Sequence, residues 1–282
     1  MDEAKHANEL ERPSVEAELT YLLDTGVKPA NYPSVAGGRA ERDTGPAARH
    51  TVIVRNARLS GEPFTLDLHG FTLAGHETAV RDFYDDAELH TRYDAEVTAL
   101  IREQTHAERV VVFDHTRRSD DAGLRNAKTV RGPASTVHND YTERSAIRRL
   151  RAILPEEADR LLQRRFAIVN VWRSIAGPVY TSPVALCDGS TVQPADLIVT
   201  ERRGVDRVGE TYRVAFNEAH RWFYYPRLQP GEAVLIKTHD SSANGRCRFA
   251  PHAAFENPAA PSGAPPRQSV ESRAFAFFSA SG

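Results

Sequence analysis

A mainly β protein, a sandwich or barrel with helices packed outside it, is the fold class this sequence predicts. Three observations predict it. Short apolar runs recur from Phe166 onward: Phe166–Trp172, Leu197–Thr200, Thr211–Phe216, Ala233–Lys237, Arg248–Phe249 and Val270–Phe278. Turn residues separate them at Gly177-Pro178, Asp188-Gly189, Gly204, Pro230-Gly231 and Asn244-Gly245. Helical periodicity is confined to stretches before and within this strand region.

Taken in chain order, the residues up to about 50 are polar and broken at Gly37-Gly38 and Gly45-Pro46. Glu16 to Leu23 reads as a short helix, and the remainder as an arm lying on the surface. That divides the chain into an arm, 1–50, and a single domain, 51–282. Thr51–Val54 is a strand candidate. Phe64–Phe71 alternates apolar and polar residues as a half-buried strand does. Asp86 to Glu103 reads as a helix, because Leu89, Tyr93, Val97, Leu100 and Ile101 recur at spacings of three and four. Val110–Phe113 is another strand. Glu143 to Arg165 is mostly helical, with Pro155 starting a second helix.

A chain of 282 residues buries a sizeable core. Its net charge of −2 calls for neither nucleic acid nor an acidic membrane surface. Arg148-Arg149-Leu150-Arg151 and Arg164-Arg165 have acids nearby and read as solvated helix faces. Met1-Asp2-Glu3-Ala4-Lys5 carries no apolar core after a basic start, unlike a secretory signal. No apolar run is long enough to cross a bilayer. Two cysteines give no disulfide framework and suit a reducing cytoplasm. The expectation is a cytoplasmic protein with a small-molecule substrate, acting alone, as a homodimer or beside a pathway enzyme.

The chemistry-bearing segment is Ser135-Thr136-Val137-His138-Asn139-Asp140-Tyr141-Thr142. Alternation puts His138 and Asp140 on one face of a strand. His252, after Pro251, would arrive from a strand paired nearby. Two imidazoles and one carboxylate leave half an octahedron open, the arrangement of non-haem Fe(II) oxygenases. A structural zinc site closes all four positions, usually with cysteine, and only Cys187 and Cys247 are present. With eleven histidines in the chain, a His-x-Asp triplet alone decides nothing. The context after His252 adds weight.

Beyond a loop from Asn257 to Pro266 comes Arg267-Gln268-Ser269, opening the last strand. This Arg-x-Ser resembles the co-substrate anchor of 2-oxoglutarate-dependent and isopenicillin-synthase-like oxygenases. A guanidinium grips a carboxylate with two parallel hydrogen bonds, and a hydroxyl supplies a third.

More broadly, the chain resembles the hydroxylase/desaturase family of fungal and bacterial secondary metabolism, which includes the cephamycin 7-alpha-methoxylation hydroxylase component. The resemblance covers roughly residues 50 to 280. It is carried by Asp67-Leu68-His69-Gly70-Phe71, Val111-Val112-Phe113-Asp114-His115, Val137-His138-Asn139-Asp140-Tyr141-Thr142 and Val169-Asn170-Val171-Trp172-Arg173. His220-Arg221-Trp222-Phe223-Tyr224-Tyr225 and Ala250-Pro251-His252-Ala253-Ala254-Phe255 extend it. It implies a double-stranded β-helix (jelly-roll, cupin-like) core, Fe(II), 2-oxoglutarate and O2. It also implies His138, Asp140 and His252 as iron ligands, and Arg267 with Ser269 as the co-substrate clamp. The loop from His252 to Arg267 is longer than is usual in the wider superfamily. If the last strand begins later, Arg273 is the inward arginine and the competing anchor.

Trp172, Arg173, Trp222, Tyr224 and Phe255 are expected to line the substrate pocket. Arg173 would there pair a substrate carboxylate; as a structural residue it would pair an acid such as Asp188. Lys237 would reach a carboxylate in the barrel or snorkel to its rim. His115, His220 and His239 are expected to be hydrogen-bonded structural residues. The activity implied is hydroxylation or desaturation of a small natural product or amino-acid-derived metabolite, with succinate and carbon dioxide as co-products. A non-oxidative cupin-type isomerase or hydrolase is the alternative for the same two-His-one-carboxylate set. It has no use for the Arg-x-Ser clamp. A silent binding module would take up no metal.

Overall fold

Every second side chain of Ser14–Leu22 is apolar. The computed structural model, which describes residues 9–33, 41–128, 130–205 and 208–279, folds this segment as strand β1. Val15, Ala17, Leu19 and Tyr21 are buried along one face. This corrects the short helix expected over Glu16–Leu23 and the surface arm around it. A period of two, not 3.6, governs the segment, and all of β1 pairs antiparallel with β4 (Ala47–Asn56). Between them lie β2 (Ala30–Tyr32) and β3 (Arg42–Asp43). Met1–Lys5 and the Gly37-Gly38 break lie outside the described residues.

The strand expected over Phe64–Phe71 is a turn that leads into β5 (Phe71–Gly75). Gly70 has φ +82°, and a Cβ there would meet Cys247 Sγ and the Ala250 Cβ at 2.7 Å. Asp67 leaves the alternation to accept from Lys237 Nζ at 2.8 Å. Lys237 also bonds Asp240, so it is buried against two carboxylates and does not snorkel to solvent.

The helix expected from Asp86 is present in three parts: α1 (Asp86–Glu88), a π-helical turn (Leu89–Tyr93) and α2 (Asp94–Thr105). All five residues of its expected apolar face are buried. Next come β6 (Arg109–Ser119), α3 (Ala122–Ala127) and β7 (His138–Asn139). In α4 (Glu143–Ile153), Thr142 and Ser145 form a reciprocal cap. Pro155 stands in the turn before α5 (Ala158–Leu161). Apart from short 3-10 turns at Gly189–Thr191 and Pro194–Asp196, the elements that follow are strands: β8 (Phe166–Ser174), β9 (Val184–Cys187), β10 (Leu197–Arg203) and β11 (Val208–Val214). They are followed by β12 (Trp222–Tyr224), β13 (Glu232–Asp240), β14 (His252–Ala254) and β15 (Gln268–Phe277). Arg248–Phe249 forms no ladder.

One sheet has the order β1-β4-β12-β9-β14-β7-β11-β10-β2-β3, the other β5-β13-β8-β15-β6. Facing each other, they make the expected double-stranded β-helix, or jelly roll. Trp172, Leu186, Phe223, Val234 and Ile236 meet between the sheets in one apolar cluster. α2 covers the outer face of the five-stranded sheet, where Val97, Leu100 and Ile101 cluster with Val169, Val171, Ala274 and Ala276. The edge of β1 returns to the segment before β7 through a Thr20–Thr136 bridge. It thereby encloses an aromatic cluster that includes Tyr21, Trp222, Tyr224 and Phe255. Among the described residues, no helix is long and apolar enough to cross a membrane.

Candidate metal centre

β7 and β14 are neighbours in the larger sheet, and His252 stands directly opposite His138. Cross-strand partners share a face, so both imidazoles enter the space between the sheets, their centroids 4.6 Å apart. The chain bends after Asn139, and Asp140 Oδ1 lies 3.7 Å from His138 Nε2. One ligand atom from each of His138, Asp140 and His252 lies within 4.8 Å of the others. Each histidine is locked from behind: His138 Nδ1 lies 2.9 Å from Thr136 O, and His252 Nδ1 lies 3.1 Å from Ala250 O. A ring whose Nδ1 donates to a carbonyl presents a bare Nε2, the form that binds a metal. Burial first, and then the neighbouring His252, push His138 well below the usual histidine range, so it is neutral.

Asp140 is held on its other oxygen. Asn170 Nδ2 donates to Oδ2 at 2.7 Å and Arg273 Nε at 2.8 Å. Burial alone would raise this carboxyl, but the Arg273 guanidinium overrides it and holds Asp140 well below its ordinary value. The ligand set fits a hard or borderline divalent ion: two imidazoles, one carboxylate and no thiolate.

β15 supplies the wall beside this cluster. Arg267, just before the strand, precedes Ser269, Glu271 and Arg273 at every second position. Arg273 is committed: it bonds Asp140, Asp114 at 2.7 Å, Glu271 at 2.6 Å and Thr116 at 3.0 Å. Arg267 is not. Its Nη1 donates to Ser182 O and its guanidinium lies 5.6 Å from the Trp172 ring centroid. Nε, Nη2 and Ser269 Oγ are buried with no hydrogen-bond partner among the described residues. Burial pushes the guanidinium down to about 10. Orphaned donors around a buried cation are costly unless something anionic satisfies them. These residues therefore fit a carboxylate ligand, while the Arg273 guanidinium is already bonded to three carboxylates.

The expected pocket lining is corrected except at Trp172, which faces inward. Arg173 follows it on β8 and so turns to the opposite face. There its guanidinium lies near Phe83 and Tyr93, bonds His76 at 3.2 Å and donates to Pro230 O. Asp188 pairs with Arg221 instead. Trp222, Tyr224 and Phe255 sit on the face of the larger sheet away from the imidazoles, and Trp222 Nε1 donates to Tyr21 Oη at 2.8 Å. Strand parity explains this: their neighbours Phe223 and Ala254 share the ligand face.

Asn170 and Glu271 were missed by sequence reasoning. Glu271 lies 3.9 Å from His252 Nε2 and accepts from Asn170 at 2.8 Å. The alternation Arg267-x-Ser269-x-Glu271-x-Arg273 was the available signal. His220 bonds Asp196 as a structural residue does, and His115 bonds Asp94 and Ser272. His239 has no partner on either ring nitrogen among the described residues.

A family model described as an oxidoreductase/YMDC permease-like domain matches residues 19–277. The chain is 34% identical to the Fe(II)/2-oxoglutarate-dependent dioxygenase nvfI of Aspergillus novofumigatus, over 81% of this chain and 83% of that protein. It is 31% identical to the hydroxylase/desaturase CTB9 of Cercospora beticola, over 95% and 88%. Among solved structures, it superposes on the iron and alpha-ketoglutarate-dependent endoperoxidase NvfI with a TM-score of 0.83 at 29% identity. That match covers 95% of this chain and 99% of the other.

Proposed function

The chain belongs to the Fe(II)/2-oxoglutarate-dependent dioxygenases of secondary metabolism, and from that membership we propose that His138, Asp140 and His252 hold the ferrous ion. Arg267 and Ser269 would hold the distal carboxylate of 2-oxoglutarate. The observation that carries this reading is the set of orphaned donors: buried Nε and Nη2 of Arg267 beside the buried hydroxyl of Ser269. An isomerase or hydrolase on the same triad has no need of such a clamp.

When bound, iron, 2-oxoglutarate and O2 together supply the oxidising power that hydroxylates or desaturates a small natural product, with succinate and carbon dioxide released. The protein's own part is placement. The Thr136 and Ala250 carbonyls fix the ring orientation of the two histidines. Asn170 and Arg273 occupy one oxygen of Asp140 and leave Oδ1 for the metal. Closure between two sheets excludes water and strengthens the Arg267–carboxylate contact.

We infer a small metabolite as substrate. No basic groove able to track a nucleic acid and no membrane partner enter this reading. A cytoplasmic location and a homodimer or pathway-enzyme partner accord with it. Succinate formation under air with Fe(II), ascorbate and 2-oxoglutarate is the test. The wild-type protein forms succinate, and alanine at His138, Asp140 or His252 abolishes it. No succinate from wild-type protein shown to hold iron overturns the proposal.

A further inference from the structure

A second constellation of ligand atoms lies on the outer face of the five-stranded sheet, where His90, Asp94 and His115 converge. His90 belongs to the π-helical turn and Asp94 opens α2, so the two stand one turn apart on one side of the helix. His90 Nδ1 is 3.3 Å from Asp94 Oδ2, and His115 Nε2 is 2.9 Å from Asp94 Oδ1. One ligand atom from each of the three lies within 4.8 Å of the others.

Two features go beyond a pair of hydrogen bonds. His115 Nδ1 lies 2.7 Å from the hydroxyl of Ser272, its direct cross-strand partner, which is fully buried. The ring is thus gripped from behind with Nε2 forward, as outer partners orient a metal-bound histidine. His115 is half-buried and His90 is exposed, so the group has a more enclosed side and a side open to solvent. Burial also holds His115 below the usual histidine range, hence neutral. π-turns within helices are frequent at functional sites.

We propose that His90, Asp94 and His115 form a second metal site, taking a divalent transition ion of the zinc class with a water in its remaining position. Two imidazoles and one carboxylate with an open fourth place is a zinc donor set. The ion would clamp the start of α2 to β6 and, through Ser272, to β15. The proposal stands independently of the iron site.

Zinc alone is titrated by calorimetry into full-length protein carrying His138→Ala and His252→Ala. One equivalent is taken up, and the melting temperature rises with zinc by mass action. Adding His90→Ala, a change at an exposed side chain, removes both effects. Asp94→Asn, which keeps a hydrogen bond to His115, weakens uptake. No uptake by the double variant, or uptake indifferent to His90→Ala and Asp94→Asn, overturns the proposal. Should the double variant fail to fold, wild-type protein must bind one more equivalent than His90→Ala, and equal uptake overturns it.

Discussion

Arg267 and Arg273 share one face of the last strand, yet their surroundings give opposite predictions for the same substitution. Removing Arg273 leaves Asp140, Glu271 and Asp114 without their shared cation, and breaking buried pairs in this way costs about 3–5 kcal/mol. Arg273→Ala is therefore expected to lower the urea midpoint of metal-free protein and weaken iron uptake. Removing Arg267 deletes one bond, to Ser182 O, together with two donors that have no partner among the described residues, so Arg267→Ala leaves that midpoint within about 1 kcal/mol. It raises the 2-oxoglutarate requirement at least about tenfold, because each charge-assisted bond contributes about 1.5–3 kcal/mol. A larger co-substrate effect in Arg273→Ala with normal stability would move the anchor. His138 with Asp140, and Arg267 with Arg273, were legible in the sequence because each pair is closely spaced, whereas His252 was legible through its Pro-His context. Which arginine is free was not, since that depends on Asp114 and Asp140, distant in sequence from both.

β1 shows how an element is misread. Its alternation is present in Val15, Ala17, Leu19 and Tyr21, but the polar and glycine-broken stretch that follows suggested an arm. The reward for the strand lies elsewhere in the chain, in the β4 ladder and the Tyr21–Trp222 bond. The reverse error occurred at Phe64–Phe71, where alternation serves a turn pinned by Asp67 and Gly70. Aromatic residues of β12 were assigned inward because parity cannot be fixed without a register. Leu19 is fully buried, so Leu19→Ala is expected to destabilise by about 2–5 kcal/mol in urea unfolding. A surface arm predicts almost no change, and a shift under about 0.5 kcal/mol would restore that reading.

For the whole molecule the testable quantity is acid stability. His239 is buried with no hydrogen-bond partner on either ring nitrogen among the described residues, and burial pushes it down to about 3. An unfolded histidine titrates near about 6.5. Below that value the unfolded chain takes a proton that the native chain refuses. This contribution is therefore full above about pH 6.5 and is lost progressively as pH falls toward the folded value. His138 shifts in the same direction. Urea midpoints of the metal-free protein are expected to fall across this window, and His239→Leu is expected to flatten the slope. An identical slope in the variant would remove His239 from the account.

The direct opposition of His138 and His252 also bears on how the chain matures. β7 comes from the first half of the chain, and β14 lies between β9 and β7 and pairs with both. Contacts between remote segments form late, since loop closure must precede them. A nascent chain that ends before His252 carries two of the three proposed ligands and no cage for them. Iron capture on this triad thus requires both remote segments to be folded against each other. The ion's binding energy goes only to finished molecules, which sets them apart from partly folded ones under proteolysis.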